Sequence, residues 1–133
     1  MSITTVEFTV EFAAAKVHAD EAHNLALRAV TLSRQATDLL DQIRRAVTAT
    51  PADWRSTGGA DADYLLDLAR EDNHSAQKNV RYAAQTAMLA EGAADTGDRR
   101  RASYEATSTG TYTNAAAWDV ESLTRLLDYL PTI

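Results

Sequence analysis

From Ala15 to Ala46 the chain sets apolar residues four and then three positions apart: Ala15, Ala22, Leu25, Ala29, Leu32, Ala36, Leu39, Ile43 and Ala46, with His18 the exception on the stripe. A repeat near 3.5 residues is what a helix shows when it packs lengthwise on another helix. No glycine or proline interrupts the run. The spacing predicts a helix over 13–48, on the order of 50 Å long at 1.5 Å per residue. Arg44 and Arg45 fall in its last turns and suit the negative helix end. A flanking stripe of Ala26, Val30, Leu40 and Val47 predicts contact with more than one neighbour, as in a bundle.

A second stripe, Ala62, Leu65, Ala69, Asp72, Ala76, Val80, Ala83, Ala87 and Ala90, predicts a helix over 61–91, opened by Asp61 and Asp63 and stopped at Gly92. A third, Ala116, Val120, Leu123, Leu127 and Leu130, predicts a helix over 115–130 with Asn114 as its cap and Pro131 at its end. Thr50-Pro51-Ala52-Asp53 reads as a helix start that Ser56 to Gly59 soon break, leaving Trp54 as an apolar plug at the tip of a helical hairpin. So short a connection makes the two long helices antiparallel neighbours. Asp95-Thr96-Gly97 reads as a turn, 98–107 as a short helix carrying Arg99, Arg100 and Arg101, and 108–114 as a polar loop.

At the N-terminus the period changes. Val6, Phe8, Val10 and Phe12 alternate with Glu7, Thr9 and Glu11, which predicts a strand or extended arm over residues 3–12. A lone strand leaves its backbone groups unpaired, so it would add to a second copy, to a partner protein or to a segment near Thr107 to Thr113. The other reading extends the first helix, with Phe8 and Phe12 on one side at i, i+4. The fold class expected is therefore all-α. It is a single domain (1–133): an N-terminal extended arm (1–12), a long antiparallel helical hairpin (13–48 and 61–91) and a shorter C-terminal helix (115–130), a three- to four-helix bundle.

Composition thins this picture. Of 133 residues 45% are hydrophobic, but many are alanine, and only two Phe and two Trp serve as large anchors. Alanine buries little area, so such a core calls for completion by a partner subunit. The formal charge of -6 argues against nucleic acid, which needs a basic surface. Cysteine is absent, which removes disulfides and thiol catalysis. No window approaches the roughly 20 apolar residues of a membrane span, and MSITTVEF lacks the regions of a signal peptide. The expected setting is an intracellular soluble protein or part of an assembled particle, with no membrane partner.

Chemistry candidates are few. Glu71 and His74 form a Glu-x-x-His pair of the kind that binds metal inside di-iron bundles, and His18 and Glu21, with His23, form a second acid/histidine group. In a hairpin turning near residue 55 the two groups lie about 27 Å apart along the axis, so only a site between subunits could unite them. Asp72 interrupts the second apolar stripe and needs a polar partner, with Asp38, Leu39 and Arg34 expected opposite it. The Arg99–Arg101 run reads as a solvated face or one that pairs with a neighbour's acids, with RNA or lipid contact as the alternative. Gly58-Gly59 is a helix connection rather than a phosphate loop, since no strand precedes it and no Lys-Ser/Thr follows.

An acidic, cysteine-free, alanine-rich hairpin with a Trp at its tip resembles, over residues 13–91 and in outline only, the helical-hairpin proteins of the WXG type. Trp54-Arg55-Ser56 lacks that motif's glycine, and no Tyr here is followed four residues later by Asp or Glu, so the resemblance assigns no family. The function expected is non-enzymatic: a structural or assembly subunit that self-associates as a homo-oligomer or docks into a larger multi-subunit particle, for which a virion would fit. The interface residues expected are Val6, Phe8, Val10 and Phe12 on the arm and Leu123, Leu127 and Leu130 on the last helix. No cofactor, catalytic residue or metal is called for. The alternatives are a ferritin-like metal-binding bundle using His18, Glu21, Glu71 and His74 between subunits, and a small acidic regulatory protein that masks a partner.

Overall fold

A computed structural model describes residues 5–49 and 62–130, for residues 5–8 the backbone alone. Its described residues form three helices and no strand: α1 (Thr5–Ala49), α2 (Ala62–Asp95) and α3 (Arg99–Tyr129). The Trp54 plug, the Pro51 start and the Gly58-Gly59 connection lie outside the described residues.

The N-terminal arm is corrected from Thr5 onward. Residues 5–12 continue α1 as helix rather than forming an extended segment. The alternation of Val6, Phe8, Val10 and Phe12 is strand-like in type, yet a helix needs no second chain to satisfy its backbone, and that settles the local choice. The short helix, loop and final helix expected over 98–130 are also corrected, for they are one uninterrupted helix. Thr109 and Thr113, which look like loop residues in sequence, are fully buried. The Thr109 hydroxyl donates to the Glu105 carbonyl at 2.8 Å, and that of Thr113 to the Leu25 carbonyl of α1 at 3.2 Å. A threonine whose hydroxyl is satisfied this way acts as a small buried hydrophobe within a helix.

The stop of α2 moves from Gly92 to Gly97. Gly92 sits inside the helix, exposed, with open space where a side chain would be. Gly97 adopts φ +73°. The Asp98 amide donates to the Ala93 carbonyl at 2.9 Å and the Gly97 amide to the Ala94 carbonyl at 3.0 Å. This is the paired-bond helix ending that a left-handed residue makes possible. Asp98 at once caps α3: its carboxylate accepts from the Arg101 amide at 3.1 Å. Three residues thus close one helix and open the next.

All three helices touch one another. The core grades along the bundle. At one end it holds Leu40, Ile43, Val47, Leu65, Leu66, Leu123 and Leu130 with interleaved alanines. Towards the α2–α3 turn it narrows to alanine alone, in the clusters Ala22–Ala90–Ala106 and Ala15–Ala93–Ala102. Along these contacts residue numbers rise on α1 as they fall on α2. Small residues permit a close approach of helix axes, and this end of the bundle is built from them.

Polar contacts mark the register between helices. Gln77 of α2 accepts from the Ser33 hydroxyl at 2.5 Å, and its amide donates to the Ser33 carbonyl at 3.1 Å, tying it to α1. Asp72, expected to face α1, instead accepts from the Ser122 hydroxyl of α3 at 2.6 Å. Asn79 donates to Asp119 at 3.0 Å, and the Thr86 and Thr109 hydroxyls lie 2.7 Å apart. Each such group would lose water without compensation if its helix slipped along its neighbour.

Candidate interaction surface

Where the core is alanine, α1 and α2 leave an open groove of about 940 Å³ between them. Its floor and walls are Ala13, Ala19, Ala26, Ala84, Ala87 and Ala94, with Phe12 and Met88 as the larger side chains. The rim carries Lys16, Asp20, His23, Glu91 and Asp95. Three carboxylates against one lysine make the rim acidic. Met88 is 72% exposed. The groove exists because alanines on the facing flanks of both helices reach too little to fill the cleft that two cylinders leave.

A second surface lies on α3. Tyr104, Trp118 and Tyr129 are 69%, 67% and 71% exposed. At 100° per residue they fall within an arc of about 40°, and Arg100 and Arg125 lie within about 60° of the same line. Arg125 pairs with Glu121 at 2.6 Å. Arg99 turns to Glu11 of α1 at 3.7 Å. Arg100 has no ion-pair partner among the described residues. Past the Asp98 cap the first turn of α3 contains no acid, so three arginines stand at the positive end of a helix with one carboxylate of that segment against them.

The expected interface residues divide. The side chains of Val6 and Phe8 lie outside the described residues. Val10 is exposed, and Phe12 is half-buried, its ring against Gly97 and its edge in the groove. Leu123 and Leu130 are buried in the chain's own core, and Leu127 packs half-buried against it. These leucines face inward because their 4-3 stripe is the face α3 turns to α1 and α2.

The acid/histidine groups stay apart. His18 Nδ1 lies 3.6 Å from Glu21 Oε2 within one turn of α1, while Glu71 and His74 are exposed on α2. Among the described residues no three His, Cys, Asp or Glu side chains converge to hold a metal ion, and no helix is long and apolar enough to cross a membrane. Glu105 is buried at 8% exposure, and its carboxylate makes no hydrogen bond or ion pair among the described residues.

Sequence reasoning missed the groove and the aromatic line. The signal for the first is the alanines flanking the main stripes, Ala19 and Ala26 on α1 and Ala84 and Ala87 on α2. For the second it is the seven-residue spacing Tyr104, Thr111, Trp118, Arg125, visible only once 99–129 is one helix. The chain matches no protein-family model, and no curated protein or solved structure matches it significantly.

Proposed function

We propose that this chain is a non-enzymatic assembly subunit: an antiparallel helical hairpin with a third helix along it, which associates with further copies of itself. The observation that carries the reading is the apolar groove between α1 and α2, walled by alanines, rimmed by acids and open to solvent. Contiguous exposed apolar surface with a polar rim is the mark of a protein interaction site. The α1–α2 pairs Ser33–Gln77, Ala22–Ala90 and Ala15–Ala93 have numbers adding to near 110, which supports the antiparallel arrangement. The exposed Tyr104, Trp118 and Tyr129 belong to the residue types that dominate interface energetics. A repeated structural shell, a virion among others, would use such a subunit.

The test is mass in solution by light scattering after gel filtration, from nanomolar to millimolar protein. A defined oligomer, or a mass that grows with concentration, is the expected result. A folded monomer throughout refutes self-association and turns the search to a different protein that fills the groove.

A further inference from the structure

Resting on that self-association, we infer which surfaces meet: the Tyr104–Trp118 ridge on α3 of one copy seats in the α1–α2 groove of the next, with Tyr129 beyond the groove's end. Three observations converge. The first is shape. The groove runs from Thr9 to Ala26 on α1, about 26 Å at 1.5 Å per residue, and Tyr104 and Trp118 stand about 21 Å apart on α3. Two aromatic knobs therefore fit within its length. Its alanine walls leave room for large rings.

The second is charge. Arg100 flanks the ridge without an ion-pair partner among the described residues, while Arg125 beside it is paired with Glu121; Asp20, Glu91 and Asp95 outnumber Lys16 on the groove's rim. Arg100 and the acidic rim are opposite in sign. The third is a cation left over at the start of α3. Asp98 caps that helix end and Arg99 pairs with Glu11, but Arg100 has no ion-pair partner among the described residues. Carboxylates of a neighbour's groove supply one. Exposed Arg, Tyr and Trp on one helical line form the set that acts as binding anchors when desolvated.

Ridge and groove are different patches of one chain, so the contact is heterologous. Such contacts join head to tail and build a ring if the rotation closes or a filament if it does not. An isologous dimer, in which one patch meets its own copy, behaves differently, and that difference is the test. One variant removes the ridge, Tyr104→Ala with Trp118→Ala. The other blocks the groove, Ala84→Arg with Met88→Arg. All four positions are exposed, so each variant should keep the helical circular dichroism and melting of the parent.

Alone, each variant keeps one good face and has nothing to seat in it or on it, so its association weakens by roughly 30-fold or more. Mixed, the intact groove of the first receives the intact ridge of the second. The mixture then forms a 1:1 dimer that grows no further, and its affinity falls with added salt. A parent that associates while both variants associate equally well, or a mixture that forms no dimer, overturns the ridge-in-groove contact and leaves self-association standing. A monomeric parent overturns self-association itself.

Discussion

Replacing Gly97 with alanine tests the turn that joins α2 to α3. Two costs add. The residue holds φ +73°, and an L-residue with a Cβ pays roughly 1–2 kcal/mol in the left-handed region. The new Cβ would also stand 2.7 Å from Phe12 Cε2, 2.9 Å from Cδ2 and 3.0 Å from Cζ. No real carbon sits so close, so the ring must move, and overpacking of this kind costs about 1–3 kcal/mol. The alanine also reduces the freedom of the unfolded chain, which returns about 0.4–1 kcal/mol. The net expectation is a loss of about 2–3 kcal/mol, read from the shift in a urea unfolding midpoint at unchanged slope. The Phe12→Ala background separates the two costs. With the ring gone, only the backbone term remains, and Gly97→Ala should cost about 1 kcal/mol there. Gly97→Ala as stable as the parent, or an equal loss in both backgrounds, would refute the proposed packing of Phe12 on the turn.

Other substitutions probe the rest of the bundle. Gly92→Ala meets nothing within 4 Å, and at Gly110 the new methyl would touch Leu25 Cδ1 at an ordinary 3.6 Å; each should raise stability by about 0.5–1 kcal/mol in thermal or chemical melts. Asp98→Ala removes the cap on the Arg101 amide and should lower stability by about 1 kcal/mol, with Asp98→Asn restoring most of it. Ala22→Leu puts three extra carbons into a fully buried layer of alanines and should destabilise by about 1–3 kcal/mol; a neutral result would mean that the alanine end is not closely packed. Glu105→Met replaces a buried carboxylate that lacks a partner, and the variant should melt no lower than the parent and by about 1 kcal/mol more stably if the charge is fully desolvated.

The all-helical class was legible in the residues. Long runs such as Ala15–Ala46 carry one spacing over many turns, and a period sustained that long admits no strand reading. The inward-facing stripes were legible for the same reason: Ala22, Ala36, Ile43, Ala69, Ala76, Ala83 and Leu123 are each buried. Boundaries were harder, because a short window holds too few turns to decide. Val6 to Phe12 has the composition of a strand, yet the helix behind it extends at the cost of ordering one residue per bond gained. Ser108 to Asn114 reads as a loop residue by residue, yet Thr86 of α2 meets Thr109 and Leu25 of α1 offers Thr113 a carbonyl.

The site was legible only in its ingredients. The sequence shows that alanine and arginine are placed unusually, and that the last helix carries leucine on one face. Periodicity cannot say whether a stripe of leucine meets the same chain or another one. Tertiary structure decides it, because Leu123 and Leu130 are consumed by the protomer's own core while Trp118 and Met88 remain outside. The residues themselves determine which positions of each helix are apolar, since that is a property of spacing along one chain. Which apolar surface is left over is a property of three helices packed together, and it appears only when their side chains compete for the same interior.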